Sequence, residues 1–297
     1  MNKILTTICI LTAAICFAAC EGEDSLQPSH ADTNPFSVDD NANDEESLLR
    51  KNFFSRNGSY LLYNDTLNNG ERLDIGYVMT ASQNNNLYIY EYLKTIEEKS
   101  LAADFVEQYL LPHLGKRLRP FAFLLVKNIN HFIYEDGLLL TPYDGTENPS
   151  FIVGVRATAI SMNAITEMDD SEKKDYSKVL IIDIMTNIIS HQTTDTFNQF
   201  TSYGKNYYGV WMDGWIETEE EGMPLQNAKG FIAPHQDEWG GMWWSVYPSL
   251  DEDVKAFINL AMNSSLEEVE QKYTDYPDIV SKYKLMKKLI NELGYIE

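Results

Sequence analysis

The chain has 297 residues, with 45 Asp plus Glu against 23 Lys plus Arg, a formal net charge of −22, and 44% hydrophobic and 12% aromatic residues. That apolar content is typical of a globular chain, so wholesale disorder is excluded. Phosphate and anionic-lipid binding need clustered bases, so the acidic balance argues against a nucleic-acid binder and against electrostatic docking on a membrane.

The first fifty residues differ in kind from the rest. Met1-Asn2-Lys3 is a short cationic start, and Ile4 to Ala19 is apolar but too short to cross a bilayer. Small residues close this stretch at Phe17-Ala18-Ala19, directly before Cys20, so residues 1–19 are expected to be a signal peptide. The junction resembles the lipobox of bacterial lipoproteins, which implies that Cys20 is acylated and becomes the mature N-terminus. The other reading is an ordinary signal peptide with an incidental Cys. The only other cysteines, Cys9 and Cys16, lie inside the expected signal peptide, so the mature chain carries no disulfide, as its size permits.

Residues 20–49 hold nine acids and no base. Glu21-Gly22-Glu23-Asp24-Ser25 resembles the acidic tag that directs lipoproteins of some Gram-negative bacteria to the outer cell surface. Residues 20–46 lack hydrophobic periodicity and are expected to form an extended, disordered tether. A single folded domain is expected over residues 47–297.

Within that domain, Asn57-Gly58 between Phe53-Phe54 and Tyr60 to Tyr63 predicts a hairpin. Leu87 to Leu110 carries apolar residues at helical spacing and predicts an amphipathic helix ended by Pro112 and Gly115. Phe121 to Val126 predicts a buried strand. Phe132 to Tyr134, Phe151 to Val153 and Val155 to Met162 are weaker strand candidates, separated by Asp144-Gly145 and Asn148-Pro149.

Asp170 or Ser171 is expected to cap a long helix running to about His191, with Val179, Leu180, Ile182, Met185, Ile188 and Ile189 at three- and four-residue steps. Its apolar character places it centrally. Residues 200–235 read as loop, and Asp237 to Tyr247 reads as helical. Two further helices close the chain. One starts at Ser265 with Glu268 at capping-box spacing; the other follows Pro277 and stops at Gly294. The sum is α+β, with a small sheet on a central buried helix and a helical C-terminal half. No strand-helix alternation suggests a doubly wound fold.

Several patches occur in a fixed order. Arg117-Leu118-Arg119-Pro120 precedes a strand, and the central helix ends at His191-Gln192. Gly230 to Pro234 (Gly-Phe-Ile-Ala-Pro) then leads into Asp237-Glu238-Trp239-Gly240-Gly241-Met242. Over roughly residues 50–297 this order resembles the zinc-binding metallopeptidase lipoproteins that accompany TonB-dependent nutrient importers. The resemblance implies a zincin-like fold, an outer-membrane lipoprotein and an importer complex as partner.

In that family the central helix carries His-Glu-x-x-His and a later helix supplies an acidic motif. Residues i and i+4 share a helical face, so two imidazoles can hold one Zn²⁺ while the Glu takes a proton from metal-bound water. This chain departs at each decisive position. Asp183-Ile184-Met185-Thr186-Asn187 stands where His-Glu-x-x-His is required, and the second motif keeps Asp237 and Glu238 but ends at Gly241. Asn187 is a weak neutral ligand and Ile184 cannot be a base. Losing such a base commonly costs about 10²–10⁴-fold in rate. The implied domain is degenerate and non-catalytic, with no metal or other cofactor.

The alternative is an active zinc metallopeptidase with a relocated site built from His191, His235, Asp237 and Glu238, although no local spacing pairs them. No serine- or cysteine-nucleophile signature is present. The acidic run Glu217, Glu219, Glu220 and Glu221 lacks Ca²⁺-loop spacing and reads as solvated loop.

All five tryptophans fall between Trp211 and Trp244: Trp211, Trp215, Trp239, Trp243 and Trp244. Tyr203, Tyr207, Tyr208 and Tyr247 flank them. With His191 and His235 they either line a cleft that stacks on sugars or grips peptide side chains, or they fill a core. The expected role is capture of a glycan or peptide nutrient, or support of an importer at the cell surface.

Overall fold

The strand expected near Phe121 runs from Ala122 to Val126 (β3), and all five of its residues are buried. A strand buried on both faces needs a continuous apolar run, and the cover on each face is visible here. The computed structural model describes residues 34–75, 86–135, 138–140, 148–236 and 241–297. In it β3 lies inside a four-stranded sheet with β1 (Tyr60–Leu62), β6 (Phe151–Val153) and β7 (Thr158–Ser161), in the order β1-β3-β7-β6. The first three of these in sheet order are parallel, with Leu61 opposite Phe123 and Leu124 opposite Ala159. β6 is an antiparallel edge.

Phe123, Leu125 and Ile160 face a helical layer. Its central member is α3 (Asp170–Ser190), whose Leu180, Ile181, Ile184, Met185 and Ile189 join the same core. Asp169 caps α3 through a capping box with Glu172, one residue before the expected start. Against α3 packs α6 (Leu250–Asn263), followed by α7 (Leu266–Lys272) and α8 (Pro277–Leu293). Ser265 and Glu268 form the capping box of α7, and Gly294 ends α8 at φ 93°.

Ala122, Leu124, Val126 and Ala159 face the other way, into a second core with Phe36, Leu67, Leu73, Tyr90 and Ile129. A three-stranded antiparallel sheet supplies part of this cover: β2 (Asn86–Glu91), β4 (Asn128–Glu135) and β5 (Leu138–Leu140), in the order β2-β4-β5. The fold is α+β. None of the described helices is long and apolar enough to cross a membrane.

Several expectations are corrected. Asn57-Gly58 makes no hairpin. Phe53 and Phe54 lie in α1 (Glu45–Asn57), Gly58 closes that helix at φ 73°, and β1 then pairs in parallel with β3. An Asn-Gly pair serves a helix end as readily as a turn, because both need a positive φ.

The expected helix from Leu87 is a strand as far as Glu91. The helix proper is α2 (Ile96–Phe105), started by a capping box of Thr95 and Glu98 and prolonged by a wider turn over Val106–Leu110. Leu87 and Ile89 stay outward while Tyr90 is buried, a period-two pattern masked because every side chain there is apolar or aromatic.

Residues 200–235 are not all loop. They hold the end of α4 (Asp195–Ser202) and α5 (Glu219–Asn227). The helix expected over 237–247 is also corrected where it is described. Met242–Trp243 (β9) pairs antiparallel with His235–Gln236 (β8).

Part of the segment expected as tether packs against the domain. Phe36 is only 2% exposed, stacks edge-on against Phe121, and is fixed by Asn34, whose side-chain amide donates to the Tyr60 hydroxyl at 2.9 Å. Residues 34–46 therefore pack as part of the domain rather than extend away from it.

Candidate functional site

Asp183 lies on the α3 flank that meets α6, and its carboxylate is 2.6 Å from the Lys255 ammonium. Asn187 is one turn further on. Its carbonyl accepts a hydrogen bond at 2.7 Å from Nδ1 of His191, the exposed residue that closes α3. His235, on β8, has Nδ1 3.0 Å from a Glu252 carboxylate oxygen. Glu252 also accepts the backbone N–H groups of Gln236 at 2.6 Å and Ser249 at 2.5 Å, as the third residue of the α6 capping box. Burial pushes the Glu252 carboxyl up, but the hydrogen bonds from Gln236, His235 and Ser249 outweigh it and hold the group below its ordinary value.

Asp183, His191 and His235 thus each hold a protein partner in place of a metal ion. Asp237, Glu238 and Trp239 lie outside the described residues, and Gly241 is exposed just before β9. Among the described residues no three His, Cys, Asp or Glu side chains gather as a metal site would require. An open groove of about 530 Å³ does run along α3 and α6, lined by Val179, Ile182, Ile232, Pro234, Lys255 and Leu260.

The tryptophans divide into two groups. Trp244 is half-buried against α5, where a Cβ on Gly222 would sit 2.7 Å from the Trp244 Cβ. Trp211 and Trp215 are 55% and 66% exposed. Their rings are 6.3 Å apart and inclined by only 23°. Trp243 stands nearly perpendicular to both, at 5.4 Å and 5.9 Å. Met242, 63% exposed, and Val210 extend this apolar surface. Large contiguous apolar patches on a protein surface often mark binding sites.

The backbone holds this platform open. Gly209 donates to the Pro248 carbonyl, Tyr247 to Val210, and Met212 to Ser245. Ser245 Oγ accepts the Ile216 N–H at 2.6 Å and donates to the Ile216 carbonyl at 3.0 Å. Gly214, at φ 103°, turns the chain sharply enough to set Trp211 and Trp215 side by side. A cavity of about 290 Å³ opens beside Trp215, Glu217, Met242 and Trp243.

The flanking tyrosines are mostly structural. Tyr247 is buried, and Tyr208 donates its hydroxyl to Asp253 at 2.9 Å. Asp253 in turn holds the Lys282 ammonium, which also donates to the Gly230 carbonyl at 2.8 Å and faces the rings of Phe200, Phe231 and Phe257 at 4.8, 4.8 and 4.3 Å. Burial draws the Lys282 ammonium below its ordinary value and raises the Asp253 carboxyl, and in each the partner's charge opposes the shift. This clamp fixes Tyr208, at the root of the loop that carries Trp211 and Trp215.

Sequence reading reaches the tryptophans but misses Lys255, Met242 and the buried clamp. Only the pairing of Trp211 and Trp215 across Asp213-Gly214 is a local signal; the other partners meet through tertiary packing. No protein-family model matches the chain, and no significant match was found among curated proteins or among solved structures.

Proposed function

We propose that this chain is a cell-surface lipoprotein, anchored to the outer membrane through Cys20, whose zincin-like domain binds a nutrient without cleaving it and serves a TonB-dependent importer. The four-stranded sheet on buried α3, followed by a helical C-terminal half, supports the zincin-like reading. The ion pair of Asp183 with Lys255 supports the absence of catalysis, because the carboxylate that stands in for the first zinc ligand is already neutralised by a cation.

The observation that carries the reading is the aromatic platform of exposed Trp211 and Trp215 against half-buried Trp243. Rigid aromatic faces supply binding area at low entropic cost. The test is titration of the mature chain with oligosaccharide and peptide panels, followed by intrinsic fluorescence and calorimetry. Binding that disappears in Trp211→Ala and Trp215→Ala is expected. Stoichiometric zinc in the purified protein, lost on His191→Ala or His235→Ala, would overturn the non-catalytic reading in favour of a metallopeptidase with a relocated site. Palmitate labelling that survives Cys20→Ala would overturn the anchor.

A further inference from the structure

The platform carries charge of one sign. Residues 209–222 contain Asp213, Glu217, Glu219, Glu220 and Glu221 and no base. Glu219 to Glu221 fill the first turn of α5, where the helix dipole accounts for them. Asp213 and Glu217 have no such explanation. Both are exposed, and neither forms an ion pair or a side-chain hydrogen bond with another described residue. Asp213 sits in the turn between the two stacked indoles, and Glu217 lines the cavity with Trp215 and Trp243. Lys229, in the loop after α5, is instead placed over the Tyr207 ring at 5.0 Å.

An anionic ligand would meet only repulsion here. A neutral sugar would need a spread of donors and acceptors, but the single donor of Ser245 Oγ is already spent on the Ile216 carbonyl. A flat cation fits both features at once. A guanidinium stacks on an indole face and still presents its N–H fork to a carboxylate, which a compact ammonium does less well. The cavity of about 290 Å³ suits one such side chain rather than a large ligand.

We infer that Trp211, Trp215 and Trp243, with Asp213 and Glu217, form a binding site for an arginine side chain presented by a peptide segment. This rests on the binding reading above and names the ligand class for the same platform.

The mature chain is titrated by fluorescence and calorimetry with capped tetrapeptides containing Arg, Lys or citrulline, the last being a neutral isostere of Arg, and with neutral hexasaccharides. The Arg peptide should bind tightest, the citrulline peptide about tenfold or more weakly, and the Lys peptide in between. Glu217→Gln and Asp213→Asn should each weaken Arg binding about three- to tenfold and flatten its salt dependence, with an unchanged melting temperature. Equal binding of Arg and citrulline peptides overturns the inference. So does hexasaccharide binding that is lost in Trp215→Ala but kept in Glu217→Gln, and that result leaves the nutrient-binding reading intact. If neither peptides nor sugars bind, both fall.

Discussion

Lys282 Nζ lies 2.7 Å and 2.8 Å from the two carboxylate oxygens of Asp253, and neither side chain has exposed surface. Three phenyl rings surround the ammonium, so the pair links α6, α8 and the Gly230 turn inside an apolar shell. Removing one partner strands the other's charge. Lys282→Met and Asp253→Leu should each destabilise the fold by about 3–5 kcal/mol. The double substitution should recover much of that loss. Urea unfolding of the three variants measures the coupling, and strictly additive losses would contradict the clamp.

Phe36 makes the N-terminal segment part of the core, with Phe121 edge-on at 5.0 Å and the Arg156 guanidinium over its ring at 4.9 Å. Phe36→Ala should cost about 3–5 kcal/mol. A chain beginning at Ser47 should melt at a lower temperature than one beginning at Asn34. Equal melting temperatures would show that residues 34–46 contribute nothing to stability.

The Asp183–Lys255 pair should matter little to stability. Lys255 is half exposed, at 53% of its side chain, and such pairs contribute about 0–1 kcal/mol. Lys255→Ala is therefore expected to leave the unfolding midpoint nearly unchanged, while freeing Asp183. Calorimetry should detect no zinc uptake by Lys255→Ala, because Asn187 is a poor second ligand.

Glu252 gives stability a defined pH dependence. Its pKa in the folded state is held below the ordinary 4.5, so the unfolded chain binds the proton more readily. The resulting stabilisation is present above pH 4.5 and is lost as pH falls through the lower, folded value. Glu252→Gln should flatten the acid limb of a stability-versus-pH curve below that point. An unchanged limb would mean that other carboxylates dominate it.

Gly214→Ala tests the turn beneath the platform. At φ 103° an alanine is strained, which should cost about 1–3 kcal/mol and displace Trp215 relative to Trp211. Near-ultraviolet circular dichroism, sensitive to the indole pair, should change more than the far-ultraviolet signal.

What sequence reading captures is local. Pro277 and Gly294 bracket α8, and Ser265 with Glu268 begins α7, because capping chemistry sits within a few residues. β3 and α3 are legible from their apolar runs. The α6 helix carries equally local marks, with Ser249 and Glu252 as a capping box and Val254, Phe257, Ile258 and Ala261 at helical steps, yet a helix misplaced over 237–247 obscures it. β2 is hidden for a physical reason, since its alternation appears only once the cover on each face is known. The tryptophan platform is legible as composition alone. Its exposure depends on backbone pairing between residues 209–217 and 242–248, which no residue in either segment announces.

The burial of Phe36 also limits how far the domain can stand from Cys20. With Cys20 as the proposed anchor, fourteen residues separate it from Asn34, where the packed domain begins, against twenty-seven from Ser47. Fully stretched, fourteen residues span at most about 46–50 Å, where a leash ending at Ser47 would reach about 89–97 Å. With that anchor, the domain would stay within about 46–50 Å of the lipid headgroups. It could hand its cargo only to a neighbour standing in the same membrane.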